Sequence, residues 1–268
     1  MEQNIVTILG SGTSTGIPII GCQCRVCNSS DPHDQRTRSS IFLETKNNNK
    51  IIVDTTPDMR SQILREGIKK CDACIITHEH ADHIHGIDDL KPFVFDRTEH
   101  LPVYTYDKCA DFLKEKFAYI FDTDQHLAGK KALGSGVPKL KLETIAKEFS
   151  IGKDHFKMTT LPHGHTRSLS FYHDGLAYII DCKEVTQDWL DYLKAQKPKI
   201  LIIDCVRRKP HTTHLHLEKS IEYARYIGAQ CTYLTHLAHI FSHEELCEEL
   251  KELDFNISVA FDGLKLSY

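Results

Sequence analysis

No stretch of this 268-residue chain approaches the roughly 18 consecutive apolar residues that a membrane-spanning helix needs. Its strand-like runs, such as Leu176–Ile180, stop after a few residues. The first residues, Met1-Glu2-Gln3-Asn4, lack the basic stretch and apolar core of a secretory leader. An excess of charge is also missing: 33 Lys and Arg against 37 Asp and Glu give a net charge of −4. That leaves no global pull toward nucleic acid or an anionic membrane. No Pro/Ser-rich linker and no internal repeat interrupts the chain, so one domain over residues 1–268 is expected. Ten cysteines are too few for a disulfide scaffold of this length. A cytoplasmic, reducing setting is expected, in which clustered thiols bind metal.

What the chain does have is 17 histidines and a series of short apolar runs broken by turn signals. Ile5–Leu9, Ile41–Glu44, Ile51–Asp54, Cys74–Thr77, Phe156–Leu161, Leu169–Tyr172, Ala177–Asp181, Ile200–Asp204 and Thr232–Thr235 read as strands. The spacing predicts helices over Pro57–Glu66, Asp107–Tyr119, Leu217–Ile227 and His243–Leu253, and closing strands within Ile257–Leu266. The mixture indicates an α/β (α+β) protein. Two long irregular stretches remain. Gly10–Ser40 carries three cysteines and suggests a metal staple; Asp122–Lys139 carries Gly129, Gly134, Gly136 and Pro138 and suggests a flap.

The strongest chemical signal is Thr77-His78-Glu79-His80-Ala81-Asp82-His83, directly after a strand. His78 and His80 project to one side of an extended turn and can clamp one ion. Asp82 and His83 come a step later and can reach a second. Imidazole with carboxylate suits zinc, manganese or iron. Further ligands are needed, and three metal-competent residues lie at strand ends: His163 (with His165 as a rival), Asp181 and His236. Cys22-Gln23-Cys24-Arg25-Val26-Cys27 offers three thiols, one ligand short of a closed zinc site. Cys71, Cys74, Cys109, Cys205, Cys231 and Cys247 read as small core residues, and Cys182 as a neighbour of the site.

These residues resemble a known family. His78-Glu79-His80-Ala81-Asp82-His83 is similar to the HxHxDH signature of the metallo-β-lactamase fold. Gly10-Ser11-Gly12-Thr13-Ser14-Thr15-Gly16-Ile17-Pro18, the Gly21–Cys27 segment, Asp54–Arg60, Ile87–Phe93 and Tyr233–His239 resemble the PhnP-like branch, which contains phosphoribosyl cyclic phosphodiesterases. The resemblance implies a four-layer αββα sandwich with the site at one edge and a Cys-rich zinc loop near residues 21–28. It implies one ion on His78, His80, His163 and a bridging Asp181, and a second on Asp82, His83, Asp181 and His236. It also implies a structural zinc on Cys22, Cys24, Cys27 and His239. His214, from the His211–His214 segment, would meet the substrate phosphate, and Asp54 would orient a ligand histidine. Thr56 and Lys91 depart from the branch pattern of Gly and Arg.

The activity so implied is hydrolysis of a small, cyclic phosphodiester by a water activated between two divalent ions. Zinc or manganese is expected there, with iron or nickel as alternatives, and His214 and Asp82 take part in catalysis. The expected partner is that small substrate. Nucleic acid enters only as a mono- or dinucleotide, membrane is not a partner, and a homodimer is suggested. A tRNA 3′-processing nuclease of the same fold is the rival reading, ahead of a non-catalytic zinc-stabilised binding module. The roles of His165, His211 and Cys182, and that of the 122–139 loop, stay open at this level.

Overall fold

The computed structural model describes residues 3–95, 97–121 and 138–268. The stretch 122–137, which carries most of the expected flap, lies outside the described residues. Among the described residues, fourteen strands form two seven-stranded sheets. The first contains β1 (Ile5–Gly10), β2 (Ser40–Glu44), β3 (Lys50–Val53), β4 (Ala73–Ile75), β5 (Leu101–Thr105), β6 (Leu140–Thr144) and the last strand, β14 (Lys265–Ser267). Its order is β14-β1-β2-β3-β4-β5-β6. The second contains β7 (Glu148–Ile151), β8 (Asp154–His163), β9 (Thr166–His173), β10 (Leu176–Ile179), β11 (Ile200–Asp204), β12 (Cys231–Thr235) and β13 (Ile257–Val259), in the reverse sequential order.

Side-chain alternation builds the layers. In β2, Ile41 and Leu43 enter the core between the sheets, while Phe42 faces the outer helices. In β11, Ile200 and Ile202 face inward, while Leu201 and Ile203 lie under the helices of the second sheet. The period of two along each strand thus feeds three hydrophobic cores, one between the sheets and one beneath each helical layer. The outer layers carry α1 (Met59–Glu66), α2 (Ala81–Ile84), α3 (Asp107–Lys116), α4 (Ala118–Phe121), α5 (Gln187–Gln196), α6 (Leu217–Ile227) and α7 (His243–Lys251). Trp189, Leu190 and Leu193 of α5 and Leu217, Tyr223, Ala224 and Ile227 of α6 cover the second sheet. The result is the expected αββα sandwich.

Three expectations shift. The closing segment Ile257–Leu266 divides between sheets, β13 on the second and β14 on the first. Strands β5, β6 and β7 and helix α5 were not evident in the sequence. Asp107–Tyr119 breaks at Phe117 into two short helices. Strands β3 to β6 run parallel, as do β10 to β13. Parallel strands place their carboxyl ends along one edge, where ligand-binding loops gather.

Candidate metal centre

Each candidate residue occupies that edge. Asp54 follows β3, and the His78–His83 run follows β4. His163 ends β8, Asp181 follows β10, Asp204 ends β11 and His236 follows β12. Asp54, Asp181 and His236 have φ of 67°, 46° and 59°, in the left-handed region that non-glycine residues rarely occupy. Backbone conformations of this kind persist where the surrounding structure imposes them, commonly at functional sites.

The structure gathers the side chains into overlapping groups: His78, His80 and His163; His78, His83 and Asp181; Asp181, His214 and His236. Within each group the ligand atoms lie within 4.8 Å of one another. Asp181 joins two of the groups. Its Oδ2 is 2.9 Å from His83 Nε2 and 3.4 Å from His78 Nε2, while its Oδ1 is 3.1 Å from His236 Nδ1. His163 Nε2 and His80 Nδ1 are 3.0 Å apart. Asp82 stands at the rim, its Oδ2 3.2 Å from His83 Nε2. His165 is exposed and belongs to none of these groups, whereas His163 belongs to one.

The surroundings fix the rings. His83 Nδ1 donates to Asp54 Oδ2 at 2.7 Å, leaving Nε2 to face the cluster. Asp54 also accepts from the Thr77 N–H and hydroxyl, and that hydroxyl touches His78 Nδ1 at 3.0 Å. His163 Nδ1 donates to the Thr213 carbonyl at 2.9 Å. Such outer contacts set tautomer and orientation in metal-ligating histidines. Burial opposes ionisation of Asp82, but neighbouring His83 outweighs it and holds the carboxyl down at about 2. Burial together with His83 keeps His78 neutral, well below its ordinary value.

This arrangement fits divalent ions. His78 Nε2, His83 Nε2 and Asp181 Oδ1 are buried without a hydrogen-bond partner. A buried polar atom left in that state costs about 1–3 kcal/mol, and coordination removes the cost. Imidazole nitrogens beside carboxylates are the donor set such ions prefer.

His214 sits among the candidate ligands. Its Nδ1 is 3.3 Å from Asp204 Oδ2 and 3.6 Å from Asp181 Oδ1, and its ring stacks on His236 at 5.0 Å. Burial opposes its charge, yet Asp204 and then Asp181 raise it to about 9. Sequence reasoning missed Asp204, although a signal was present. Ile179-Ile180-Asp181-Cys182 and Ile202-Ile203-Asp204-Cys205 are the same pattern at two parallel strand ends. Asp204 is fully buried with Oδ1 unpartnered, and its Oδ2 accepts from Leu215 N. His211 touches Thr213 through Nδ1 and lies 5.0 Å, ring to ring, from His214. Cys182 packs into the core of the second sheet rather than lining the site. Asp58 pairs with Arg38 at 2.9 Å.

A second centre lies beside the first. Cys22, Cys24 and Cys27 place their sulfurs 3.4, 3.5 and 3.4 Å from His239 Nδ1. Tetrahedral zinc, with Zn–S of about 2.3 Å and Zn–N of about 2.0–2.1 Å, separates a sulfur from a nitrogen by about 3.5–3.6 Å. The four groups already stand at that spacing. The Cys27 N–H donated to Cys24 Sγ leads the effects that lower that thiol to about 6, whereas burial pushes Cys27 up to about 11. Fully buried Arg36 bonds Asp34 at 2.9 Å and the carbonyls of Ala238 and Phe241, on either side of His239. The basic run beyond β11 is spent on structure: Arg207 bonds the Lys209 and Pro210 carbonyls, and Arg208 pairs with Glu249.

A histidine- and carboxylate-lined seam at the edge of an αββα sandwich defines a metal-dependent hydrolase. The family model described as "Beta-lactamase superfamily domain" matches residues 49–237. A crystal structure of a diphosphatase from the PhnP family superposes with a TM-score of 0.87 at 36% identity, covering 99% of this chain and 97% of that one. The chain belongs to the β-lactamase superfamily, in its PhnP-like branch. It is also 34% identical over 262 residues to an octanoyltransferase of Porphyromonas gingivalis; the match covers 96% of this chain but 50% of that relative, so the chain spans half its length. The short form of human tRNase Z shares the fold, with a TM-score of 0.63 at 17% identity and 98% of each chain covered.

Proposed function

We propose that this protein is a phosphodiesterase acting on a small, cyclic phosphodiester through two divalent ions at the seam. The observation that carries the reading is the division of Asp181, with Oδ2 toward His78 and His83 and Oδ1 toward His236. Asp181, within reach of His78 on one side and of His83 and His236 on the other, could be shared by one ion held with His78, His80 and His163 and another held with Asp82, His83 and His236. Zinc or manganese suits these donors, and a structural zinc suits Cys22, Cys24, Cys27 and His239. Bound at the seam, the ions would supply Lewis acidity, which lowers the pKa of water and offsets phosphoryl charge.

The chain's own residues do the rest. Asp54 and the Thr213 carbonyl hold His83 and His163 in the tautomers that face the seam. His214, whose Nδ1 lies against Asp204, would pass a proton to the departing ester oxygen as water attacks phosphorus from the opposite side. Asp204 restrains that ring at Nδ1 and stabilises its charge.

A second reading is hydrolysis of a diphosphate bond, favoured by the 36% identity to the PhnP-family diphosphatase. Both reactions place water and a leaving oxygen on opposite sides of phosphorus. The relative named an octanoyltransferase is twice as long as the match, so its name carries no assignment to this chain. Likeness to tRNase Z at 17% identity concerns the fold alone.

The test is a substrate panel with manganese or zinc: bis(p-nitrophenyl) phosphate, ribose 1,2-cyclic phosphate, 2′,3′-cyclic nucleotides, dinucleoside diphosphates and a precursor tRNA. Turnover of cyclic phosphodiesters above all others is expected. Preference for the diphosphates moves the assignment to the second reading, and preference for precursor tRNA overturns both.

A further inference from the structure

Among the residues proposed to hold the first ion, His80 is the exposed one, whereas His78 and His163 are buried. The loop carrying it is nonetheless tied down at the residue between the two histidines. Glu79 Oε2 accepts from the Tyr106 hydroxyl at 2.7 Å, and Glu79 Oε1 accepts from the Thr166 hydroxyl. The Tyr106 oxygen is also 3.1 Å from Thr166 Oγ1 and 2.8 Å from the Arg167 carbonyl.

The connection spans the seam. Glu79 follows β4 and Tyr106 follows β5, both of the first sheet; Thr166 and Arg167 open β9 of the second. In the β8–β9 hairpin, Thr166 is the residue paired directly with His163. Glu79 therefore joins the loop of His78 and His80 to the cross-strand partner of His163. Tyr106 is itself 4% exposed and anchored in the core of the first sheet, so the bridge rests on a fixed post.

We propose that Glu79 is a positioning residue that sets the spacing of His80 and His163 for one divalent ion, with Tyr106 and Thr166 as its two anchors. The proposal rests on the reading of His80 and His163 as metal ligands. Without the bridge, His80 keeps its ring contacts with His78 and His163 and its carbonyl's bond from the His83 N–H, and Leu169 N–H still reaches the Thr77 carbonyl, but the side-chain restraint beside His80 is lost. Outer contacts of this kind are worth about 10–100-fold in metal affinity.

The experiment is titration of the purified protein with Co(II) or Mn(II) against a competing chromophoric chelator, together with melting of the metal-free form. Glu79→Ala should weaken one of the two seam ions about 10–100-fold, leaving the other ion, the cysteine-held zinc and the melting of the metal-free protein unchanged. Glu79→Gln keeps an acceptor for Tyr106 and a donor for Thr166, and should restore binding close to wild type. Tyr106→Phe should weaken the same ion by less. Wild-type affinity for both ions in Glu79→Ala overturns this proposal alone, as does equal weakening of all sites with a lowered melting point. A wild-type protein that takes up no ion at the seam overturns the reading of the centre and this proposal with it.

Discussion

Asp34→Asn would remove the carboxylate in direct contact with the buried Arg36 guanidinium, leaving more distant acids such as Asp262 and Asp31. The side chains of Arg36 and Asp34 are 0% and 3% exposed, and their contact is 2.9 Å. Burial pulls the guanidinium down from its ordinary value, and Asp34 is first among the groups that hold it charged. Breaking one side of such a pair costs about 3–5 kcal/mol, because the remaining charge cannot be rehydrated. Asparagine keeps an oxygen for Arg36 and for the His243 N–H that Asp34 now accepts, so the lower end, about 3 kcal/mol, is expected. At about 2–4 °C per kcal/mol for a chain of this size, that is a fall of about 6–12 °C in melting temperature. A second readout separates this from generic damage. Arg36 binds the carbonyls flanking His239, so zinc should pass from the cysteine centre to a chromophoric chelator faster in the variant. The assay is thermal melting alongside zinc release at neutral pH. A fall of less than about 2 °C with unchanged release would refute the reasoning: solvent would then reach Arg36, or the carbonyls alone would satisfy it.

Other outcomes follow from the same structure. Asp204→Asn removes the charge that holds His214 protonated; turnover of an alkyl leaving group such as ribose should fall at least about 10²-fold, and that of the p-nitrophenyl ester much less, whereas equal losses would exclude a proton-donor role. Cys24→Ser should lower zinc content by about one ion per chain and reduce the melting temperature, because structural zinc contributes folding energy; unchanged metal analysis would sink the four-ligand assignment. Asp154 joins the β2–β3 turn to the second sheet through Thr45, Asn47 and Asn49. Burial opposes its charge, but these donors hold its pKa below the ordinary carboxylate range. Its folded value therefore lies below its unfolded value of about 3.9. The stability it contributes is full above about pH 4 and is lost as pH falls through the folded value. The melting difference between wild type and Asp154→Leu should shrink over that acidic window, and a constant difference would count against it.

The centre was more legible than the frame around it. His78, His80, Asp82 and His83 are adjacent in sequence, and Asp181 and His236 end apolar runs, so a strand-end reading finds them. Asp204 ends an equally apolar run, yet no metal-like spacing marks it, and its importance emerges only from contact with His214. Arg36 was invisible for a different reason: nothing local tells a charged residue in the irregular Gly10–Ser40 stretch that it will be fully enclosed. Two of the missed strands share one cause. In β6 and β7 most residues are polar or half-exposed, because they lie at sheet edges and bury little. Helix α5 carries Trp189, Leu190 and Leu193 at helical spacing, but its polar remainder masked them.

The chain passes from the first sheet to the second between β6 and β7, and returns only for β14, which pairs with β1. The seam therefore has two owners. Residues up to Thr144 furnish the His78–His83 run, and those from Glu148 to Val259 furnish His163, Asp181, His214 and His236. Neither portion carries a complete set of donors, so the centre can form only after the two sheets have docked. A cut at Ile145–Lys147 would leave β14 as a clasp from the later fragment onto the earlier one, and metal uptake would then report that the two pieces had found each other.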